Sequence, residues 1–305
     1  MTPPPRARYR LTRRQAGVLF LSGCASALVS APRAMAAGSA PAPVEEADVR
    51  RSTVLRDFRD LRIDGTTYRT QTANRYPTYR KPWALTRFDD ADEFRFELRD
   101  GDGWAGDKDA KPPRNRAEMQ QRGAALPASG EAIWFTDTIA VETDDKPRSP
   151  WTIVNQLHSG IARVNPLLFT QLIGTKLLIH TSFDRSDVAK PGPGTLRYAD
   201  QAFERRRYTR LVYRVVLGDG TGELTIWRDG RSIVDETGLS IGFPNDKRCT
   251  PHLKWGQYRR AGTQTYAVRH ANVEGATLAS LEARVRDPRP LASDPLVAAP
   301  RRVPS

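Results

Sequence analysis

The sequence predicts an all-β fold, a β-sandwich or jelly roll of antiparallel strands. Short stretches of alternating polarity recur along the chain, as in Phe94-Arg95-Phe96-Glu97-Leu98-Arg99, where Phe94, Phe96 and Leu98 share one face. Clusters of Gly, Pro, Asp and Asn divide these stretches at the spacing of turns. Helical periodicity is confined to one segment, 274–285, where Leu278, Leu281 and Val285 line up.

The chain opens on Arg6, Arg8, Arg10, Arg13 and Arg14, followed by an apolar run over 16–29 and the small-x-small site Ala34-Met35-Ala36. This reads as an export signal over 1–36, and Arg13-Arg14 gives it a twin-arginine character. A periplasmic or secreted protein is expected. Leu21-Ser22-Gly23-Cys24 offers a rival, lipoprotein-type cleavage with an anchor at Cys24. The apolar run is too short to be a membrane span. Residues 37–48 read as a linker, and 287–305, with Pro288, Pro290, Pro295, Pro300 and Pro304, as a disordered tail. One domain, 49–286, remains.

Within it, strands are expected at 94–99, 133–141, 152–158, 176–182, 210–217, 223–228, 252–259 and 265–269. Asp219-Gly220 and Asp229-Gly230 are hairpin turn signals, the second joining Thr225-Ile226-Trp227 to Ser232-Ile233-Val234.

The 48 basic and 35 acidic residues give a net charge of +13. Six arginines and no acids lie in 1–36, so loss of that segment leaves +7. Such an excess steers polyanions toward a surface. Export, and the lack of a basic helix or an aromatic-basic repeat, argue against nucleic acid as the partner. Cys249 stands alone once Cys24 leaves, so no internal disulfide is expected, and Cys249 reads as a core filler. No Cys/His cluster has zinc spacing.

Two strands carry the candidate chemistry. In 252–259, His252, Lys254, Gly256 and Tyr258 fall on one face, with Leu253, Trp255 and Gln257 on the other. A cation, a glycine and a phenol in line suit the floor of a sugar-binding groove, the glycine leaving room for a ring near the backbone. In 152–158, Gln156 and His158 share a face, opposite Ile153 and Leu157. His180 and His270 read as structural histidines. Trp104 and Trp255 could stack on sugar rings, although core packing is the commoner fate of tryptophan.

Gln156-Leu157-His158 and Lys254-Trp255-Gly256-Gln257-Tyr258-Arg259 together resemble the Q-x-H and Y-x-K-x-G-x-Y strands of the jelly-roll polysaccharide lyases, which include alginate, glucuronan and heparin I-type lyases. The segment from Gly222 to Gly230 is similar to their G-x-L-x-x-W-x-D-G hairpin. Arg116-Ala117-Glu118-Met119 is the preferred match to an upstream R-S-E-L element, with Arg95-Phe96-Glu97-Leu98 as a rival. The resemblance spans roughly 90–260, and His252 stands where the family has tyrosine. It implies a concanavalin A-like jelly roll of two antiparallel sheets and β-elimination on a uronic-acid polymer.

Elimination needs a base for the C5 proton, an acid for O4, and donors that neutralise the carboxylate. His158 is expected as base and Tyr258 as acid, or Tyr258 as both with a cation lowering its pKa. Gln156 and Arg116 are expected at the carboxylate. Lys254, Arg95, His252 and Arg259 are expected to bind substrate. The expected partner is an anionic polysaccharide and the expected state a monomer. No cofactor is expected, with a structural calcium left open. The competing classes are a non-catalytic carbohydrate-binding jelly roll and a glycoside hydrolase. The second needs two carboxylates flanking the bond, and no E-x-D-x-x-E strand is present.

Overall fold

The computed structural model describes residues 52–286 apart from 76, 77, 79, 89–92, 124, 144 and 276–280. The expected export signal, the linker and the tail all lie outside the described residues.

The strands in chain order are β1 (Ser52–Val54), β2 (Asp60–Ile63), β3 (Thr66–Gln71), β4 (Leu85–Phe88), β5 (Glu93–Leu98), β6 (Arg114–Arg122), β7 (Ala132–Val141) and β8 (Thr152–His158). They continue with β9 (Leu168–Ile173), β10 (Lys176–Thr181), β11 (Thr195–Asp200), β12 (Thr209–Val216), β13 (Gly218–Arg228), β14 (Arg231–Ile241), β15 (His252–Arg260) and β16 (Tyr266–Glu274). They form two eight-stranded sheets. The first runs β1-β4-β5-β16-β7-β12-β13-β14 and the second β11-β10-β9-β8-β15-β6-β3-β2. The named strand pairs in both are antiparallel, the two-sheet β-sandwich that the alternating stretches predict.

Alternation decides which face each strand buries. On β5, Phe94, Phe96 and Leu98 enter the core between the sheets, with Trp255, Met119 and Ala117 arriving from the second sheet. A larger cluster joins Phe135, Ile139, Val215 and Leu224 of the first sheet to Val154, Leu157, Leu168 and Leu253 of the second. A polar seam also crosses this interior. Asp137 accepts from Asn155 Nδ2 at 2.9 Å and pairs with His270 Nδ1, while Tyr213 Oη meets Thr170 Oγ1 at 2.9 Å. His270 is fully buried, the structural role expected of it.

Asp229-Gly230 makes the two-residue turn between β13 and β14, both residues at positive φ (49° and 82°). Asp219-Gly220 does not make a turn. It is an irregularity inside β13, where Gly218 pairs with Ile241 and Gly222 with Leu239. The ladder to β14 continues past it, and Arg185 holds Asp219 by two bonds at 2.6 and 2.7 Å. The helix expected over 274–285 is also corrected. Glu274 ends β16, paired with Thr136 of β7, and among the described residues a short helix α1 (Glu282–Arg286) follows. Cys249 packs beside the core as a free thiol, pushed up to about 11 by burial and then by Asp246, as suits a filler.

Candidate active site

In the second sheet β15 lies between β8 and β6. Its register aligns His252 with His158, Lys254 with Gln156 and Gln120, Gly256 with Glu118, and Tyr258 with Arg116. Directly opposed residues share a face, so strands remote in sequence bring these groups onto the side of the sheet turned away from the core. Trp255 goes to the opposite side, fully buried with its ring centroid 4.2 Å from that of Tyr68, so it is a packing residue.

Glu118 sits at the centre of this face, fully buried. It accepts from Arg116 Nη1, and from Gln156 Nε2 at 2.6 Å, with Lys254 Nζ 4.0 Å away. Gln71 of β3 completes the cluster, its Oε1 accepting from Lys254 Nζ at 3.3 Å. Sequence reasoning passed over Glu118. The signal was present, because a spacing of two puts Glu118 on the face of Arg116.

Arg116 is held by two carboxylates. Nε and Nη2 bond the two carboxylate oxygens of Asp107 at 2.6 and 3.1 Å, and Nη1 meets Glu118. Burial pulls its pKa down, but Glu118 and Asp107 together hold it above its ordinary value. Its guanidinium carbon lies 4.0 Å from the centroid of the Tyr258 ring. Arg114 Nε donates to Tyr258 Oη at 3.3 Å, and Trp151 lies 5.3 Å from the phenol ring. Burial raises the Tyr258 pKa and outweighs the opposing pull of Arg116 and Arg114, so the phenol is protonated at neutral pH.

His158 and His252 stand side by side, ring centroids 5.1 Å apart. The Gly160 N–H donates to His158 Nδ1 at 2.9 Å, so the neutral ring carries its proton on Nε2 and is a donor there. Burial, and then Lys254, His252 and Arg116, push the His158 pKa well below its ordinary value. His252 has the opposite tautomer. Its Nδ1 bonds the Thr250 carbonyl at 3.0 Å, and Nε2 is a buried acceptor without a partner. His180 reaches the outer strands of the same face, stacked on Phe169 and bonded to Gln171 at 3.0 Å.

Several expectations are corrected here. Arg95 belongs to β5 of the other sheet and points away from its core, bonding Glu142 at 2.8 Å and Glu97 at 2.6 Å. It cannot share a substrate with Tyr258, and the rival motif match falls with it. Arg259 follows Trp255 and Gln257 into the interior, where its Nη2 donates to the carbonyls of Leu98, Gly262 and Gln264. Ile153 does not share the face of Leu157. A register shift between Ile153 and Asn155 sets it opposite Tyr258. Gly256 does not make room for a sugar. At φ +126° its missing Cβ would point at the Ala117 carbonyl, 2.3 Å away, so the glycine serves the backbone.

Lys254 is only 6% exposed, and burial followed by Arg116 lowers its pKa to about 8. Between that value and 10.5 the unfolded chain holds a proton that the folded one does not. Stability from this group is therefore lost as pH falls from 10.5 to 8, and the cost persists below. Lys254→Met is expected to raise stability at pH 7 by about 3 kcal/mol and to lower turnover. Urea unfolding of both proteins at pH 7 and above the ordinary lysine pKa checks this, since the gain must shrink at the higher pH.

Among the described residues no group of three or more His, Cys, Asp or Glu could hold a metal ion, and no helix is long and apolar enough to cross a membrane. No curated protein sequence matches the chain. Solved structures that resemble it include a family 7 alginate lyase A1-II′ in complex with product, at 14% identity and TM-score 0.49 over 68% of this chain and 95% of that one. The alginate lyase from Klebsiella pneumoniae is similar at 10% identity and TM-score 0.47, over 63% of this chain and 83% of that one. An alginate lyase from Pseudomonas aeruginosa is similar at 14% identity and TM-score 0.42, over 63% and 85%. The sequence model of one family, described as polysaccharide lyase, matches residues 64–273. That is more than half of the 305 residues, and the chain belongs to the polysaccharide lyase family.

Proposed function

We propose that the protein cleaves a uronic-acid polysaccharide by β-elimination, with Tyr258 moving both protons. The observation that carries the reading is the phenol lying between two guanidinium groups on the face that also presents His158 and Gln156. Ionised Tyr258, supported by Arg114 and Arg116, takes the C5 proton of the uronate. The C5 electron pair forms the C4=C5 double bond as the C4–O4 bond breaks. The phenol then returns its proton to O4, and the phenolate is regenerated.

The C5 proton is acidic enough only when the carboxylate is neutralised. His158 Nε2–H and the second amide N–H of Gln156 are the free donors for this. Arg116 is already engaged by Asp107 and Glu118, so its part is to support the phenolate. This reassigns His158 from base to donor, because the Gly160 bond leaves no lone pair at Nε2. One phenol reaches both atoms only where H5 and O4 lie on the same side of the sugar ring, so uronates of that configuration are the favoured substrates. The raised Tyr258 pKa makes the rate climb toward alkaline pH. The basic n-region and small-x-small site of the sequence support an exported enzyme meeting its polymer outside the cytoplasm.

Incubation with a panel of polyuronates, read by absorbance of the unsaturated uronate, tests the proposal. Release of that chromophore supports it; reducing ends appearing without the chromophore would mean hydrolysis, and silence across the panel would remove the uronate substrate.

A further inference from the structure

Beside Tyr258 the chain walls a cavity of ≈ 250 Å³, lined by Arg75, Trp104, Asp107, Lys108 and Arg114 among others. Drug-sized sites run to roughly 300–1,000 Å³, so this one has room for a single sugar ring and not for a length of chain. Its charge is one-sided. Asp107 is already neutralised by Arg116, which bonds both of its oxygens. The other charged lining residues, Arg75, Lys108 and Arg114, are cations.

Arg114 links the cavity to the reacting groups. Its Nε donates to Tyr258 Oη and its guanidinium carbon lies 4.9 Å from the centroid of the Trp151 ring. Its Nη1 is buried and has no hydrogen-bond partner. A buried cationic N–H without an acceptor is costly, and the residue that carries it lines the cavity. Trp104 adds an aromatic wall, fixed by Nε1 donating to Asp57 at 3.1 Å.

We infer that this cavity is a carboxylate-reading subsite. It takes one uronate ring next to the ring on which Tyr258 acts, with Arg114 Nη1 donating to the carboxylate, Arg75 and Lys108 supplying charge, and Trp104 against the ring. The inference rests on the uronate reading above and adds a selectivity. A neutral or esterified ring offers Nη1 and the neighbouring cations only an uncharged acceptor, a weaker partner than a carboxylate, so the enzyme favours runs of free uronate over mixed stretches.

The test uses the full chain and the double variant Arg75→Ala, Lys108→Ala, neither residue touching Tyr258. Loss of both cations is expected to raise KM for the polyuronate about tenfold, with kcat within about twofold. Calorimetry on the Tyr258→Phe protein adds a readout free of turnover. A uronate trisaccharide is expected to bind as the free acid, and more weakly as its methyl ester or to the triple variant. An unchanged KM in an active double variant, or equal binding of acid and ester, overturns the subsite and leaves the lyase reading standing. Binding of the free acid through Arg75 and Lys108 by a protein that turns over no polyuronate upholds the subsite and sinks the lyase reading. Absence of both binding and turnover sinks both.

Discussion

Tyr258→Phe is expected to cut turnover by about 10³-fold or more, because proton transfer to and from one positioned group supplies about 10²–10⁴-fold at each step. The fold is expected to survive. Phenylalanine keeps the ring that lies against Arg116 and Trp151 and loses only the 3.3 Å bond from Arg114 Nε. A bond of that kind contributes about 1 kcal/mol, too little to unfold a domain of this size. The two readouts are the initial rate of chromophore release and the thermal unfolding midpoint. A variant within tenfold of the native rate would place the proton transfers on another group, and His252, with its unpartnered Nε2, would be the next residue to test.

Gly256→Ala is expected to destabilise the protein by about 3–5 kcal/mol, the sum of overpacking and a strained backbone. The new Cβ would lie 2.3 Å from the Ala117 carbonyl and 2.8 Å from the Glu118 Cα and the Phe96 ring, at a φ of +126°. The atoms in the way are mostly backbone of β6, so they cannot swing aside. Relief comes only by prising β15 from β6, the seam along which Gly256 faces Glu118 and Tyr258 faces Arg116. Misplacement by about 1 Å at such a site costs about 10²-fold in rate, so surviving folded protein should be poorly active. Chemical denaturation and kcat on the refolded fraction check the two parts. Native-like stability in the variant would mean that the bulge at Gly256 is not required.

Much of this architecture was readable in the residue pattern, for a physical reason. Strands with one face in the core alternate, and 94–98, 152–158 and 252–259 did so plainly enough to place Gln156, His158, Lys254 and Tyr258 on faces before any pairing was known. Pairing itself was not readable. Nothing local to Arg95 says that β5 lies in the other sheet, because sheet membership is decided by long-range contacts. Bulges were also hidden. The register shift between Ile153 and Asn155 breaks strict alternation on β8, so a face count across it fails. Arg259 is a different kind of miss. Alternation put it inside with Trp255, and only the rule that charges stay outside argued otherwise; backbone carbonyls around its guanidinium make the interior tolerable. Glu118 was legible as a residue on the right face, but its role as shared acceptor of Arg116 and Gln156, with Lys254 nearby, needs β6, β8 and β15 side by side.

The buried carboxylates under the phenol also separate capture from chemistry. Arg116 and Lys254 bring two positive charges to the floor, and Glu118 and Asp107 return two negative ones, so the floor is close to electrically balanced. A polyanion arriving from solution is drawn by the rim instead, by Lys108, Arg75 and their neighbours. Dissolved salt shields the rim over about 10 Å at 0.1 M and reaches the dry interior far less. Ionic strength thus governs how often a polymer lands and leaves the bond-breaking event untouched: brine starves this enzyme without disarming it.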